Sequence, residues 1–178
     1  MTDAPPAPRN DRNLLLYTPT IHINAAQESI RMPSVHVLGV PMSFEYGLLI
    51  ASKIPLPEDE LNDNESWEDG MRRVMATHAN APQPRLFNLC PWHERDPFNG
   101  QDNNGQDHYY HMFICKEPEQ NAWQHSCLRD ELPKLEVLQT REKFALFKFE
   151  EYIRTCRPVS TWPEDYAVEF AKFRGLLR

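Results

Sequence analysis

Prolines constrain the fold of this chain more than any other residue type, because its 178 residues include 16 of them. Proline lacks a backbone N–H group and fixes φ, so it is tolerated mainly where a helix begins or a strand ends. Pro55 and Pro57 therefore close one apolar segment, and Pro82 and Pro84 end a segment with helical periodicity. Pro118 stands where a further helix is predicted to begin.

Short β-branched and aromatic segments between these prolines predict the strands. The predicted strands cover residues 14–24, 35–40, 44–54, 85–90, 108–115 and 135–138. Only Pro41, Met42 and Ser43 separate the second strand from the third, which predicts a hairpin. The segment 55–65 is acidic and rich in proline and asparagine, so it is predicted to be an exposed loop.

Two segments favour helices by the residues at their start. Ser66, with Asp69 three residues later, resembles a capping arrangement. The apolar stripe that follows consists of Trp67, Met71, Val74, Met75 and His78. A second helix is predicted from Pro118, because Glu117 and Glu119 would lie at its positive end.

The C-terminal segment carries the clearest helical pattern. Thr161 and Glu164 frame a capping box that also holds the early proline Pro163. An apolar stripe follows at Tyr166, Phe170, Phe173 and Leu177, and the first three of these are predicted to be buried. Residues 140–156 are compatible with either a helix or a strand, although their last residues favour helix.

Together these elements predict a single α+β domain that spans residues 14–178. Its centre would be a mostly antiparallel, curved sheet of about five strands, with three or four helices packed on it. Residues 1–13 are predicted to form a flexible N-terminal tail. No internal repeat and no change of composition marks a second domain.

Charge and composition exclude several classes of function. The net charge of −7 argues against a surface that binds nucleic-acid backbones. With six glycines, no Gly-x-Gly-x-x-Gly pattern and no P-loop, the sequence predicts no cofactor. No apolar run is long enough to cross a bilayer, and the N-terminal residues lack the apolar core of a signal peptide. We therefore predict a cytoplasmic protein, with the nucleus as the alternative, whose cysteines are reduced.

The stretch from Cys90 to Cys115 is the most unusual part of the chain, since it holds two of the four cysteines and three of the seven histidines. If residues 85–90 and 108–115 are strands, the polar connection between them is long and has no secondary structure of its own. Such loops are uncommon in compact domains and are usually functional or disordered. Three interpretations are open: a mobile hairpin excursion, a zinc site, and a pocket for acid–base chemistry.

A zinc site would draw on cysteines and histidines that occur here in close pairs. The candidate ligands are Cys90, His93, His108, His111, Cys115, His125 and Cys127. Successive side chains of a strand point to opposite faces, however, so His108 and His111 would diverge. The sequence therefore predicts no metal site, and structural zinc bound by Cys90, His93 and one later histidine is the third functional alternative.

Acid–base chemistry is favoured by the strand that begins at Asp107, because each of its faces combines a histidine with a phenol and apolar bulk. One face carries His108, Tyr110, Met112 and Ile114. The other carries Asp107, Tyr109, His111, Phe113 and Cys115. His36 lies in an apolar run and is expected to pack in the core or on the sheet, unless curvature turns it towards the same pocket.

His111 is predicted to be the proton-transfer group, because its strand face supplies both a hydrogen-bond donor, Tyr109, and apolar walls. Asp107 or Asp96 would orient its imidazole. His108 is the alternative, since a bulge at the start of the strand would exchange the two faces. The predicted substrate-binding residues are Tyr110, Phe113, Trp92 and Asp96.

Two classes of function follow from these observations. The first is a small-molecule-binding protein that acts as an acid–base enzyme of the isomerase, cyclase, dehydratase or hydrolase type. The second is an intracellular protein-interaction or regulatory module without catalysis, whose partner is another protein. An enclosed pocket containing His108 or His111 would favour the first class, and a filled core with a flat apolar patch would favour the second.

Overall fold

The computed structural model describes residues 32–45, 47–51, 55–96, 105–129, 131–156 and 164–177. All of them belong to the unit Arg31–Arg178. The predicted tail at residues 1–13 and the predicted strand at 14–24 lie outside the described residues. The elements are β1 (Ser34–Met42), β2 (Ile50–Ala51), β3 (Glu58–Glu60), α1 (Trp67–Ala79), β4 (Arg85–Arg95), β5 (Asp107–Lys116), β6 (Leu128–Arg129), α2 (Thr140–Cys156) and α3 (Glu164–Leu177).

Four of the strands form a mixed sheet in the order β3-β1-β5-β4. β1 and β5 run parallel at its centre, while β3 and β4 pair antiparallel to them at the edges. Parallel strands are usually buried on both faces, and the apolar runs of β1 and β5 meet that requirement. The α+β class is confirmed, but the prediction of a mostly antiparallel sheet is wrong, because its central pair is parallel. The described residues place four strands in this sheet, where about five were predicted.

The predicted hairpin after β1 is reduced to a single antiparallel bridge. Ser43 N–H donates to the carbonyl of Gly47, whose φ of 93° favours glycine, and Met42 forms one antiparallel bridge with Leu48. The chain then leaves β1, and β2 pairs with β6 in a separate two-stranded sheet. The acidic segment predicted to be a loop instead supplies β3, which covers the outer edge of β1.

Helix α1 confirms its predicted cap. Ser66 Oγ accepts the backbone N–H of Asp69 at 3.1 Å, and Asn80, with φ of 50°, ends the helix. Met71 and Met75 are buried against the sheet, as the stripe predicted, but Trp67 is 41% exposed. The first position of the predicted stripe therefore lies at the edge of the core.

Two other predicted elements differ from the structure. The helix predicted from Pro118 is a succession of turns, because the carboxylate of Glu117 accepts the backbone N–H of Trp123 and holds the chain in a tighter path. The strand predicted at 135–138 is a short 3-10 helix, Leu135–Val137. The ambiguous segment 140–156 is the helix α2, whose inward residues are Ala145, Leu146, Phe149 and Ile153.

The sheet separates two apolar cores. On one face, which we call the α2 face, even-numbered residues of β1 and β5 pack against α2 and against Phe170 of α3. On the other, the α1 face, odd-numbered residues of the same strands pack against α1 and Trp123. Burial of Phe170 confirms that prediction, while the side chains of Tyr166, Phe173 and Leu177 lie outside the described residues.

Within the described part of the chain, none of the helices combines the length and the apolar character that a bilayer crossing requires.

Candidate functional site

The stretch from Cys90 to Cys115 is mainly a β-hairpin. β4 continues beyond Cys90 to Arg95 and pairs with β5, with a register shift between Asn88 and Cys90. The connection is therefore shorter than predicted, because residues 91–95 and 107 belong to the two strands. Only residues 96–106 connect the two strands, and 97–104 of these lie outside the described residues.

Strand alternation separates the two candidate histidines, as predicted. His108 projects from the α2 face, where it meets β1 side chains, and His111 projects from the α1 face beside Trp67. The register shift in β4 does not exchange the faces of β5, because β5 itself runs without interruption. The two histidines therefore cannot serve one site.

His108 lies at the centre of four polar residues, Ser34, His36, Asp96 and His108, which we call the histidine cluster. Ser34 Oγ lies 2.5 Å from His108 Nδ1 and 2.8 Å from His36 Nε2. On its other side, His108 Nε2 lies 3.1 Å from Asp96 Oδ1. The nearer ring nitrogens of the two histidines are 3.3 Å apart.

One assignment of hydrogens satisfies the two contacts of Ser34 and the contact between His108 and Asp96 with neutral imidazoles. His36 Nε2–H donates to Ser34 Oγ, and the Ser34 hydroxyl donates to His108 Nδ1. His108 Nε2–H then donates to Asp96. The hydroxyl is thus placed to lose its proton to an imidazole whose opposite nitrogen is already bound to a carboxylate.

The parallel pairing of β1 with β5 creates this cluster. Ser34 lies directly opposite His108 in the register, and His36 lies opposite Tyr110. The imidazole of His36 stacks on the phenol of Tyr110 with ring centroids 4.7 Å apart. Burial lowers the pKa of His36 below its ordinary value and is opposed by the nearby carboxylates of Glu58 and Glu60.

A charge network borders the histidine cluster on the α2 face. Arg141 of α2 donates to Glu58 of β3 at 2.9 Å and to Glu94 of β4 at 3.2 Å. The indole of Trp92 donates to the second oxygen of Glu94 at 2.8 Å. Burial, with the negative charge of Glu58 in support, raises the pKa of Tyr110 to about 12, so its hydroxyl keeps its proton at neutral pH.

Three of the predicted substrate-binding residues share the face of His108. Asp96 contacts its imidazole directly, while Tyr110 and Trp92 are paired across β4 and β5. The fourth, Phe113, is buried in the core of the α1 face. The structure therefore brings Asp96, Tyr110 and Trp92 near His108 and leaves Phe113 on the opposite side.

The predicted partners of His111 are arranged differently from the expectation. Asp107 binds His93 at 2.9 Å, and the ring of Tyr109 stacks on His93 as well. His111 Nε2 lies 2.9 Å from Asn88 Oδ1. Its Nδ1 atom is buried and has no hydrogen-bond partner in the described part of the chain, and burial lowers the pKa of the imidazole.

The candidate zinc ligands do not converge. Cys90 packs against Met112 on the α2 face, whereas His93 stacks on Tyr109 on the α1 face. Cys115 is fully buried, and burial raises the pKa of its thiol, which disfavours the thiolate that a metal requires. No group of three or more His, Cys, Asp or Glu side chains in the described ranges is arranged to hold a metal ion.

Neither His108 nor His111 lines the cavities that lie beside Trp123 and beside Pro133. One cavity, of about 300 Å³, lies beside Trp123, and another, of about 310 Å³, lies beside Pro133. The histidine cluster is accordingly a polar group at the margin of the α2 face. Neither of these two cavities encloses the histidine cluster.

Sequence reasoning missed Ser34, Arg141, Glu58 and Glu94. A serine after a proline at the start of a strand carries no signal of its own. Ser34 becomes significant only when the β1–β5 register is known, and that contact joins residues 74 positions apart. A signal did exist for Glu58, because an acidic residue in a segment next to apolar strands suggests an edge strand.

Comparisons with known proteins give only distant similarities. No family model matches the chain, and no curated protein matches it significantly. A MutT/nudix family protein from Enterococcus faecalis aligns at 17% identity over 48% of this chain and 37% of its own, with a TM-score of 0.37. A nudix hydrolase family member from Chromobacterium violaceum aligns at 13% identity over 83% of this chain and 92% of its own, with a TM-score of 0.45.

A NUDIX hydrolase from Nitrosomonas europaea aligns at 16% identity over 75% of this chain and 95% of its own, with a TM-score of 0.46. Each of these three TM-scores is below 0.5, and each identity is below 20%. Similarity at this level does not assign the chain to a family or give it a function.

Proposed function

We propose that this protein binds a small molecule and hydrolyses it at the histidine cluster. His108 is the proton-transfer group, Asp96 orients it, and the hydroxyl of Ser34 is the group that it deprotonates. The supporting observation is the continuous chain from Ser34 Oγ through the imidazole of His108 to the carboxylate of Asp96. A hydroxyl, an imidazole and a carboxylate in this order recur in hydrolases of unrelated folds, and they are recognised by geometry.

The reaction would use the contacts as they stand. His108 Nδ1 accepts the proton of Ser34 as the Ser34 oxygen attacks the electrophilic atom of the substrate, and the leaving group then takes that proton. Water attacks the covalent intermediate, its proton passes to the same nitrogen, and Ser34 is regenerated. Asp96 stabilises the imidazolium that forms in each half-reaction. In the best-known triads the serine faces Nε2, so the two ring nitrogens are exchanged here.

The residues around the histidine cluster have proposed roles in binding the substrate. Tyr110 keeps its proton and is proposed as a hydrogen-bond donor, and Trp92 is proposed as an apolar wall of the substrate site. His36 Nε2 also contacts the Ser34 oxygen, at 2.8 Å, and lies 3.3 Å from His108 Nδ1. The earlier prediction that His111 transfers the proton stays a prediction, and the same experiment tests it.

A covalent probe tests the proposal without knowledge of the substrate. Ser34 is 5% exposed, so a small reagent is needed. In methanesulfonyl fluoride, the fluoride leaves as the serine oxygen bonds to sulfur. We expect mass spectrometry to find the sulfonyl group on Ser34. Ser34→Ala should abolish this label, and His108→Gln should slow its formation by about 10²–10⁴, the usual effect of losing a positioned base.

Two further variants test whether His108 or His111 is the proton-transfer group. His125→Gln, which alters an exposed histidine outside the site, should leave the labelling rate unchanged. If His111→Gln slows labelling and His108→Gln does not, the site lies on the α1 face instead. Absence of any label on Ser34, under conditions that label a known serine hydrolase, would refute the proposed function.

A non-catalytic interaction module is the second candidate, and exposed aromatic residues on the α1 face favour it. Trp67 is 41% exposed and Tyr109 is 45% exposed. Large aromatic side chains are enriched at protein interfaces. Unlabelled Ser34 together with a protein partner whose binding is lost in Trp67→Ala would favour this function over hydrolysis.

A further inference from the structure

A polar cavity of about 300 Å³ lies at the opposite end of β1 from the histidine cluster. One wall is the loop that follows β1, with Ser43, Phe44 and Glu45. The other wall is the series of turns in which the sequence had predicted a helix, and it contributes Gln120 and Gln124 among others. Because β1 has nine residues, this cavity lies roughly 26 Å from Ser34 at about 3.3 Å per residue.

The buried carboxylate of Glu117 fixes the two walls relative to each other. Its Oε2 accepts the backbone N–H of Phe44 at 3.1 Å, and its Oε1 accepts the backbone N–H of Trp123 at 2.9 Å. The backbone N–H of Glu117 donates in turn to the carbonyl of Met42 at 2.8 Å. Each wall is thus bound to the same side chain, which holds the cavity open in a defined shape.

The wall of turns is also attached to the rest of the molecule. The indole N–H of Trp123 donates to the carbonyl of Pro82 at 2.9 Å. The side-chain amide of Asn80 donates to the carbonyl of His125 at 3.2 Å, and Cys127 N–H donates to the carbonyl of Ala79. The backbone of this wall is therefore held in place before a ligand binds, which lowers the entropic cost of binding.

The cavity also has a position that favours binding. β1 and β5 run parallel, and the cavity lies just beyond their carboxyl ends, since Met42 and Lys116 are the last residues of these strands. In sheets that contain parallel strands, ligands commonly bind outside the carboxyl ends. The volume is at the lower end of the range for small-molecule sites, which suits a ligand the size of a single sugar ring.

The chemistry of the lining indicates the ligand. The polar residues that border the cavity are Ser43, Glu45, Glu117, Gln120, Asn121, Gln124 and Ser126. Amides both donate and accept hydrogen bonds, and carboxylates accept them, so neighbouring hydroxyl groups would find complementary partners. No lysine or arginine occurs among the described residues that border the cavity, which disfavours an anionic ligand.

From this geometry we infer a binding site for an uncharged, polyhydroxylated small molecule of about the size of a monosaccharide. Hydroxyl groups of the ligand bind the amides of the wall of turns and the carboxylate of Glu45, and its C–H face lies against Phe44. The site goes beyond the proposed hydrolysis at Ser34 and does not depend on it.

Ligand-observed saturation-transfer NMR on the full chain tests the site with defined probes: glucose, ribose and myo-inositol as polyols, ethylammonium as a cation, and inorganic phosphate as an anion. We expect saturation transfer to at least one polyol. Gln124→Ala should weaken its binding about tenfold, the effect of losing one or two hydrogen bonds. Asn121→Gly should act likewise, and glycine keeps the backbone φ of 62° at that position.

Matched controls separate this site from the histidine cluster. Gln139→Ala removes an exposed glutamine elsewhere and should leave polyol binding unchanged, as should His108→Gln. Gln124→Ala should in turn leave sulfonylation of Ser34 unchanged. Transfer to ethylammonium or phosphate without transfer to any polyol overturns the ligand class. No transfer to any probe, or polyol binding that both wall variants leave intact, overturns the site.

Discussion

The Nε2 atom of His108 lies 3.1 Å from Oδ1 of Asp96, although the two residues belong to different sides of a hairpin. Asp96 follows the last residue of β4, and its backbone N–H donates to the carbonyl of Gln106 at 3.0 Å. The hairpin therefore closes with the carboxylate already beside the imidazole. This contact assigns Asp96 to His108, whereas Asp107 is held by His93.

Replacing Asp96 with Asn should slow sulfonylation of Ser34 by about tenfold or more. The substitution removes the negative charge that stabilises the imidazolium. The decrease in labelling rate should be smaller than the ~10⁴-fold decrease typical of a buried triad carboxylate, because the carboxylate of Asp96 is partly exposed to water. The measurement is the second-order rate of labelling by mass spectrometry. Asp107→Asn is the matched control, and equal rates for the two variants would contradict the assignment.

Local signals in the sequence predicted the parts of the fold that depend on neighbouring residues. The cap of α1 needs only Ser66 and Asp69, which are three positions apart, and it forms as predicted. Alternation along β5 placed His108 and His111 on opposite faces without knowledge of the partner strands. Phe170 is buried for the same reason, since a helical stripe indicates its own inward face.

The histidine cluster could not be predicted, because it depends on contacts between distant segments. Ser34 meets His108 only through the parallel pairing of β1 with β5, and a hairpin between β1 and the next segment was the more local alternative. Arg141 and Glu58 are 83 positions apart. The turns after Glu117 likewise depend on a side chain that competes with helical hydrogen bonds for backbone N–H groups.

Replacing Arg141 with Met should reduce the free energy of unfolding by about 2–3 kcal/mol, somewhat below the cost of breaking a fully buried ion pair. Arg141 joins α2 to both edges of the sheet through Glu58 and Glu94, and its removal leaves two carboxylates close together. Denaturant unfolding at neutral pH measures the loss. Arg141→Lys keeps the charge but not the forked geometry of the guanidinium. Its unfolding free energy is therefore expected to lie between those of wild type and Arg141→Met. A methionine variant as stable as wild type would contradict this role.

His111 should make the protein less stable as the pH falls below about 6.5, the ordinary pKa of histidine. Burial lowers the pKa of His111 in the folded state, and the charge of Glu68 opposes this without reversing it. Between the lowered pKa and the ordinary one, the unfolded chain binds more protons than the folded chain, so stability decreases with decreasing pH. His36 is shifted in the same direction and should contribute as well.

Denaturant unfolding from pH 8 to pH 5 measures this effect. His111→Gln should flatten the dependence, whereas His125→Gln, at an exposed position, should leave it unchanged. An NMR titration of the imidazole protons provides the direct check. A His111 resonance that titrates above the ordinary value would reverse the sign of the prediction.

Chelation should leave the fold unchanged. Cys90 and His93 project from opposite faces of β4, so structural zinc would require β4 to lose its strand geometry. The measurement is the thermal unfolding midpoint of the protein with and without EDTA, together with the metal content of the purified protein. Stoichiometric zinc whose removal unfolds the chain would show that these ligands converge after all.

Replacing Phe170 with Ala should reduce the free energy of unfolding by roughly 3–5 kcal/mol, the cost typical of a packed phenylalanine. Phe170 is 5% exposed and belongs to the core that α3 shares with α2 and the sheet. Val168→Ala is the matched control on the same helix, because Val168 is 48% exposed and its truncation should change the unfolding free energy by no more than about 0.5 kcal/mol. Denaturant unfolding of both variants gives the comparison. If the two variants lost similar amounts of unfolding free energy, Phe170 would contribute little to the packing of α3. The apolar stripe of α3 would then stabilise the fold through a different residue.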